Sequence, residues 1–438
     1  MKQFTKLLIL VLGLTFSGCV TYQPQPLKHD RVVQRLKKIE AAPVASQQIS
    51  FSDAMKLMDE NNRRLQEIRQ AYETMKKVAD IPTPWDNPTL SGGIKHGEEL
   101  PNDFSSATQP FISLAFSIPL SGRLSKTDDL NAVMADEQAT LLNVEHRKLY
   151  LELRRTYGEV YYLQQQQQTL DKLVKFVRWK SEETDRLLAS GVYSPLDSGL
   201  VKQQLNLVEL KQFDLNNRLL AAEKRLAVLL DLPQSSLSGQ RLKKPTFSDS
   251  EKPENVQNMV LENHLELAQI RAKYEVAEKR LRLEVAKQYP DLVLGSGYAR
   301  EPGETKEFFN LSVGIKLPVF DRNQVNIAKF SGRRDELLKR YEKSVSTALI
   351  SVEFLFSKLQ NSEKKYQYHD RNVLKQSKTN RELAEAAFAS DQITLPRYWE
   401  FEEDLINQQL QSVENYLELW KQQSDLELLI GKTLNSQQ

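Results

Sequence analysis

Few residues of this chain have the type and spacing that chemistry requires. The five histidines lie far apart, and none has a cysteine beside it, so no pair has the spacing of metal ligands. The six methionines do not cluster. No glycine-rich phosphate loop and no nucleophile elbow occur. We therefore expect no catalytic site, no metal site and no cofactor.

Two carboxylate-rich stretches, Glu182-Glu183 and Glu402-Glu403-Asp404, are the remaining candidates for acid–base chemistry. Both stretches lie in segments that are predicted to be helical. Carboxylates at helical spacing are typical of solvated helix faces or of charges near helix ends. We interpret them in that way and not as a catalytic pair.

The one clear chemical signal is the single cysteine, Cys19. Two lysines precede an apolar run, residues 7–16, that is too short for a stable membrane anchor. Phe16-Ser17-Gly18-Cys19 is typical of a lipobox, in which signal peptidase cuts before the cysteine and the thiol takes the lipid. The sequence therefore predicts a signal peptide over 1–18 and lipidation, palmitate included, at Cys19. The alternative is an ordinary cleaved signal with an incidental cysteine.

The region after Cys19 carries little periodicity. Val20, in place of an aspartate, favours delivery to the outer membrane. Residues 21–48 are rich in Pro, Gln and charge, which is typical of an extended segment. We expect residues 19–49 to form a lipidated tether.

Composition argues against several classes of protein. The net charge of +2 with 27% charged residues lacks the clustered basic excess of a nucleic-acid-binding protein. Mean hydropathy is −0.52, and no segment after residue 20 resembles a transmembrane helix. If the chain crosses a membrane, it must do so with β-strands that close into a barrel.

The sequence also contains an internal repeat, so that its two halves resemble each other. Pro119-Leu120-Ser121-Gly122-Arg123 corresponds to Pro318-Val319-Phe320-Asp321-Arg322, and Asn87-Pro88-Thr89-Leu90 corresponds to Tyr289-Pro290-Asp291-Leu292. Residues 228–232 correspond to 428–432. Such repetition fixes the architecture. We expect a first repeat over 50–233, a linker over 234–253, a second repeat over 254–432 and a tail over 433–438.

Each repeat has the pattern helix, β-hairpin, long helix, turn and helix. The first repeat predicts a helix to residue 79 with Ser52 as its N-cap, strands 90–96 and 111–118, and helices 125–189 and 196–230. The second predicts a helix over 254–287, strands 292–299 and 308–317, and helices over 324–389 and from about 397 to 431. A helix of about 65 residues is about 100 Å long, so it must pack in a coiled-coil array, most naturally in an oligomer.

The second strand of each hairpin alternates between large apolar and small or polar residues. Ile112, Leu114 and Phe116 share one face, as do Leu311, Val313 and Ile315. One face suits lipid and the other a water-filled lumen. A soluble sheet with one buried face is the alternative. The export signal and the duplication favour the membrane.

Four strands cannot close a barrel, and open edges are not tolerated in lipid. Several copies must therefore share one barrel. Three copies give twelve strands, whereas two would give eight and leave no room for a channel.

These features resemble the TolC-like outer-membrane efflux proteins over about residues 50–432. The resemblance rests on the hairpins that end in Pro-x-x-x-Arg, the long paired helices and the duplicated plan; the lipidated start resembles the lipoprotein branch that works with inner-membrane pumps. It implies an α+β membrane protein, a homotrimer in which a twelve-stranded transmembrane β-barrel, four strands per chain, continues into a long α-helical barrel. The implied location is the outer membrane of a Gram-negative bacterium, with the helices in the periplasm. The implied partners are outer-membrane lipid, a periplasmic membrane-fusion adaptor and an inner-membrane pump, with no nucleic acid and no enzymatic activity.

The resemblance also implies a closed periplasmic tip with a gate. Gly191, Ser194 and Asp197 match the family's first tip turn, with Asp197 at the acidic gate position. An ordinary helix N-terminal charge is the compatible alternative for Asp197. In the second turn the matching or substituted positions are the aromatic Phe388, Asp391 in place of glycine, Thr394, Arg397 in place of an aspartate, and Glu400, which keeps an acid. The two turns are also the expected adaptor contacts.

The resulting hypothesis is an exit duct of a tripartite efflux system that carries substrates from the periplasm or pump to the outside. Two alternatives stay open: the duct of a type I protein-secretion system, and a lipid-anchored periplasmic coiled-coil scaffold. The sequence does not distinguish a drug, metal or protein cargo.

Overall fold

The computed structural model describes residues 22–40, 48–97, 107–233, 237, 239–245, 255–300 and 307–434. The chain divides into two units, Met1–Ala45 and Ser46–Gln438. Within the first unit, α1 spans His29–Glu40. This corrects the expectation of a fully extended tether, since a twelve-residue helix occupies part of it. Cys19 and the signal peptide lie outside the described residues.

The second unit contains two copies of one succession of elements. The first copy has β1 Gln48–Ile49, α2 Phe51–Asn61, α3 Arg63–Ala79, β2 Thr89–Gly97, β3 Ala107–Pro119, α4 Arg123–Ala189 and α5 Pro195–Leu230. The second has β4 Arg241–Leu242, α6 Val256–Asn263, α7 Leu265–Ala286, β5 Asp291–Arg300, β6 Glu307–Ile315, α8 Gln324–Tyr368, a π-helical turn His369–Leu374, α9 Lys375–Ala389 and α10 Leu395–Ile430. The expected element order is confirmed.

Several boundaries differ from the sequence prediction. Helix α2 begins two residues earlier than predicted, because Ser50, not Ser52, forms a capping box with Asp53. Both opening helices are broken. Asn62 and His264 leave helical geometry, and each side chain accepts a hydrogen bond from the amide three residues later. Periodicity alone did not show these breaks.

The duplication is visible in the backbone. Three positions with positive φ recur in both copies, with glycine in one and a polar residue in the other: Gly122 (63°) and Asn323 (59°), Gly191 (78°) and Asp391 (57°), Asp231 (52°) and Gly431 (83°). Only glycine, Asn and Asp enter this region readily. The arginines of the two Pro-x-x-x-Arg motifs do not correspond in the structure. Arg123 is the first residue of α4, whereas Arg322 precedes the N-cap of α8.

The helices form layers around α4. That helix packs against α3, α5, α7 and α10, while α8 packs against α6, α7 and α10. Near the middle of α4, the buried Arg154 guanidinium donates to Glu427 of α10 at 2.8 Å. Glu427 also accepts from the backbone amide of Leu434 at 3.1 Å. A buried pair of this kind persists because its remaining polar atoms find partners.

Two short strands, β1 and β4, are hydrogen-bonded to side chains of α4. β1 and β4 pair in parallel, Gln48 with Arg241 and Ile49 with Leu242. The Tyr157 hydroxyl lies 2.8 Å from both the Ile49 and Lys243 carbonyl oxygens. Gln164 donates to the Gln240 carbonyl at 2.8 Å and accepts from the Leu242 amide at 3.1 Å. The expected irregular linker is therefore partly ordered against α4.

Candidate functional site: the sheet face and the helical tip

The four long strands form one antiparallel sheet in the order β2-β3-β5-β6. Its register brings the alternating residues of all four strands onto common faces. Leu114 lies opposite Leu90 of β2 and Ser296 of β5, and Ser296 lies opposite Leu311 of β6. Every second residue of each strand lies on this face, so the face predicted from β3 and β6 extends across all four strands.

This apolar face carries the six residues that the sequence predicted to contact lipid. Ile112, Leu114 and Phe116 lie on β3, and Leu311, Val313 and Ile315 lie on the edge strand β6. Leu311 and Val313 are 87% and 74% exposed. Leu90, Ile94, Leu294 and Phe309 extend the face. An exposed apolar surface of this continuity marks an interaction surface. Contact with lipid itself stays a prediction.

The opposite face is mostly small and polar, although Phe111, Val293 and Phe308 also lie on it. Ser113 lies opposite Ser91 and Gly297, and Gly297 lies opposite Asn310. Gly295 approaches its neighbour closely, since a Cβ there would lie 2.4 Å from the Ser312 hydroxyl oxygen. The Ser, Gly, Ala and Asn residues of this face can contact water at little cost, because they expose few apolar atoms.

The sheet meets the helices at a charged junction. The Arg123 guanidinium, at the start of α4, donates to Asp86 at 2.5 Å and to Asp291 at 3.1 Å. Asp86 precedes β2 and Asp291 begins β5, so one arginine ties the two repeats together where the sheet begins. The repeated Pro-x-x-x-Arg motif identified Arg123, but the sequence did not identify Asp86 and Asp291 as its partners.

At the other end of the helices, the first tip turn joins α4 to α5. Gly191 adopts a φ of 78°, which glycine enters without strain, and no atom lies within 4 Å of the place where a Cβ would be. Ser194 is the N-cap of α5 and forms a capping box with Asp197. The Asp197 carboxylate accepts from the Ser194 amide at 3.0 Å and from its hydroxyl at 2.6 Å.

This geometry gives Asp197 a structural role within its own turn. Hydrogen bonds from the Ser194 hydroxyl and then the Ser194 amide lower the pKa of the Asp197 carboxyl below its ordinary value. Within a single chain, Asp197 is therefore a charged residue at a helix N-terminus, which is the alternative interpretation of this residue. A gate role is compatible with it and stays a proposal.

The second tip turn, between α9 and α10, lacks the same supports. Asp391 adopts the φ of 57° that Gly191 has in the first turn. Thr394 is the N-cap of α10, but its side chain makes no capping hydrogen bond. Arg397 stands where Asp197 stands in the first turn, and an arginine cannot accept a hydrogen bond from the N-cap amide.

The other residues predicted for the gate in this turn, Arg397, Glu400 and Phe388, contact neighbours on their own hairpin. Arg397 pairs with Glu400 one turn along the same helix, and its guanidinium lies 5.0 Å from the centre of the Phe401 ring. Phe388 stacks on Tyr398 with ring centres 5.4 Å apart. Within one chain, the acidic partner of Arg397 is therefore Glu400 on its own helix.

A layer above the tip was missed by sequence reasoning. Glu402, Glu403 and Asp404 were expected on a solvated face or as charges near a helix end; Asp404 is exposed, but Glu402 and Glu403 are half-buried with partners that were not expected. Glu403 accepts from Lys180 of α4 at 3.1 Å and from Gln204 of α5. Glu402 accepts from Arg381 at 2.8 Å, and Asp404 accepts from the Ser377 hydroxyl at 2.5 Å. No signal within one helix reveals partners that lie so far away in sequence.

Of these carboxylates, Glu403 joins the two tip hairpins, whereas Glu402 and Asp404 join α9 to α10 within the second one. The Lys180–Glu403 pair lies largely out of water, and Trp399, just N-terminal to it, is buried against Trp179 with ring centres 5.5 Å apart. The tip is therefore anchored above its turns, while the turns themselves are exposed. In the described part of the chain, no three His, Cys, Asp or Glu side chains are grouped as metal ligands would be. No helix among the described residues is long and apolar enough to span a bilayer.

Known proteins share this plan. Residues 256–432 match the family of outer membrane efflux proteins, a family of channels and not of enzymes. The cobalt-zinc-cadmium resistance protein CzcC of Cupriavidus metallidurans is 26% identical over 161 residues, which is 37% of this chain and 38% of that protein. The matched segment therefore spans well under half of that relative.

Solved structures extend the likeness to the whole fold. The outer-membrane channel OprN superposes with a TM-score of 0.70 at 14% identity, over 95% of this chain and 99% of that one. The outer membrane protein VceC of Vibrio cholerae superposes with a TM-score of 0.66 at 12% identity, over 88% and 97% of the two chains. The resemblance to the outer-membrane efflux proteins and the expected fold class are thus confirmed.

Proposed function

We propose that this chain, which has the fold of the outer-membrane efflux proteins, is the outer-membrane exit duct of a tripartite efflux system. In this proposal three copies close a twelve-stranded barrel, and their helices form a periplasmic tunnel. A membrane-fusion adaptor and an inner-membrane pump dock at the tip and supply the energy. The duct binds no cofactor and catalyses no reaction.

The observation that carries the proposal is the continuous apolar face of the sheet. It crosses all four strands, it is joined to helices about 100 Å long, and its opposite face is mostly small and polar. A lipid-anchored scaffold has no need for such a sheet. In a duct, the apolar face lies against lipid and the polar face lines the lumen.

Lipidation at Cys19 belongs to the same proposal, with the barrel as a second and independent membrane attachment. The test is fractionation of Cys19→Ser. In the duct account the variant loses its lipid but stays in the outer membrane and requires detergent, where it runs as a heat-sensitive trimer. Release of the variant as a water-soluble protein would favour the scaffold.

We further propose divalent metal cations as the cargo, because CzcC, named for cobalt, zinc and cadmium resistance, is similar over 161 residues. The test is growth of a strain that lacks its own duct, with and without this chain, on zinc, cobalt and cadmium salts and on a hydrophobic dye. Rescue on the metals alone supports the proposal. Rescue on the dye alone contradicts the metal cargo, and export of a protein substrate would point to the type I secretion duct.

A further inference from the structure

The two long helices that lead to the tip differ near their middle. Helix α4 is an unbroken α-helix of 67 residues. Its counterpart in the second repeat is divided into α8 and α9 by the π-helical turn His369–Leu374. The correspondence of Gly122 with Asn323 makes residues 168–173 of α4 the counterpart of this turn, and they are ordinary α-helix. A π turn holds one residue more than an α-helical turn, and such turns are frequent at functional sites.

The packing of the helix changes at the π turn. On the side towards the sheet, α8 packs against α6, α7 and α10. On the side towards the tip, α9 packs against α10 and makes no comparable contact with another described helix. Arg381 of α9 donates to Glu402 of α10 at 2.8 Å, which ties these two helices together. We call α9 and residues 395–407 of α10 the second tip hairpin.

Few contacts join the second tip hairpin to the first repeat. Among the described residues, its polar contacts with α4 and α5 are those of Glu403, which accepts from Lys180 at 3.1 Å and from Gln204. Trp399 packs on Trp179 at the same level. This single layer lies between the π turn and the tip turns, so the hairpin is held at its two ends and not along its length.

A cavity lies behind α10 at the level of the π turn. Along their described lengths, α5 and α10 both pack on α4 but make little contact with each other. The space between them has a volume of about 490 Å³. Its lining includes Gln166, Leu170, Asp214, Arg218, Gln408 and Gln411. Because Gln408 also contacts His369 of the π turn, α10 has room to move at the level where α8 becomes α9.

His369, the first residue of the π turn, is buried with one unsatisfied nitrogen. Its side chain is 9% exposed, and its Nε2 lies 3.1 Å from Oε1 of Gln408. Among the described residues, its Nδ1 has no hydrogen-bond partner. A buried polar atom without a partner is rare and costs free energy, and it is a form of strain that a second arrangement of the chain can relieve.

We propose that the π turn at His369–Leu374 is a hinge. The second tip hairpin turns there relative to α4 and α5, and the cavity accommodates the displaced side chains of α10. The contacts of Glu403 with Lys180 and Gln204 hold the hairpin in the arrangement that the structure shows. The inference rests on the proposed duct and adds the position at which the helices of its second repeat bend.

Amide hydrogen exchange of the detergent-purified wild-type protein is the first test. A hinge opens locally more often than an unbroken helix. Relative to their intrinsic rates, the amides of residues 370–375 should exchange about tenfold faster than those of residues 169–174 of α4. Equal protection of the two segments overturns the hinge, and this comparison needs no variant.

Deletion of Asn372 removes the extra residue of the π turn. Asn372 is exposed, and without it the turn can form α-helical hydrogen bonds while α8 and α9 keep their packed faces. The variant should assemble and should lose the fast exchange. Deletion of Gln168 from α4 is the matched control, because it rotates the rest of an unbroken helix by about 100° and should prevent assembly. If the two deletions are equally damaging, the π turn holds no spare residue and the inference fails.

Single-channel recording then tests whether the tip depends on the hinge. Lys180→Gln removes the charge that holds Glu403 and should raise the fraction of time in the open state about tenfold if three copies act together. When Asn372 is also deleted, the same substitution should raise it by less than about twofold, because the two changes are coupled. An equal increase with and without Asn372 would show that the hairpin bends elsewhere. A wild-type trimer that does not conduct overturns the proposed function as well.

Discussion

Gly158 of α4 lies directly beneath the indole ring of Trp420 of α10. A Cβ at Gly158 would lie 2.3 Å from two ring atoms, and the Trp420 indole N–H donates to the Arg155 carbonyl at 3.1 Å. The Arg154 guanidinium lies 5.1 Å from the centre of the same ring. The two repeats therefore approach each other closely at a position that has no side chain.

Gly158→Ala should destabilise the protein, by about 1–3 kcal/mol if the indole must move. Gly199 of α5 is the matched control, since it is also helical and no atom lies within 4 Å of an added Cβ. Gly199→Ala should stabilise by about 0.5–1 kcal/mol, because alanine loses less backbone entropy in a helix. Thermal unfolding in detergent compares the two. Equal shifts would show that Trp420 does not constrain Gly158.

The two faces of the sheet should respond differently to charge. Leu311→Arg places a cation on the apolar face and should cost about 2–4 kcal/mol if that face lies near the bilayer midplane. Its neighbour Asn310 lies on the polar face, and Asn310→Arg should be tolerated. The amount of heat-sensitive trimer in outer membranes measures the effect, with Leu114→Arg and Ser113→Arg as a second pair. Equal loss from both faces would contradict a strand between lipid and water.

The tip turns should differ in their dependence on pH. The Asp197 carboxylate, whose pKa is lowered in the folded state, stabilises the start of α5 above its unfolded pKa of about 3.9. That support is lost as the pH falls through the folded pKa. Protection of the amides of residues 196–200 against hydrogen exchange, relative to the intrinsic exchange rate at each pH, should therefore fall in acid, and Asp197→Asn should lower it at neutral pH.

The second turn serves as the internal control for this effect, because Arg397 cannot form the same capping box. Arg397→Asp should slow exchange at the start of α10 above pH 4, where Thr394 and the new carboxylate can cap it. If exchange at α5 is unaffected by Asp197→Asn, the capping box does not stabilise the first turn.

The sequence predicted a large part of the fold because the fold is built from strong periodic signals. The alternation in residues 111–118 located β3, and the repeat located the second hairpin. The correspondence of residues 228–232 with 428–432 agrees with the positive φ that Asp231 and Gly431 share. Such features are local, so one stretch of sequence contains them.

The features that were missed depend on distant neighbours. Ser50 and Ser52 both suit an N-cap, and only the reciprocal contact with Asp53 chooses Ser50. Glu403 looks like a solvated acid until folding brings Lys180 to it. The π-helical turn at His369–Leu374 has no counterpart in α4, and its sequence carries no break signal. At the tip, motif matching located both turns but not the loss of the second capping box.

The proposed gate makes a separate prediction about conductance. Arg397 offsets the charge of Glu400 on the exposed tip. Each such pair contributes only about 0–1 kcal/mol, but three copies act together. Arg397→Ala should leave acids that repel one another and shift the tip towards its open state, raising the single-channel conductance. Asp197→Ala is the comparison. If only Asp197→Ala raises conductance, Arg397 is not part of the gate, and if neither does, the stacked Phe388 is the next residue to test.

The claim that this chain forms a duct is tested most directly by recording the purified wild-type protein in a planar lipid bilayer. The account predicts stepwise, discrete conductance increments from the trimer, which disappear when the protein is heated to monomers before addition. A trimer that inserts into the bilayer without conducting, or a preparation that stays monomeric and water-soluble without detergent, would contradict it.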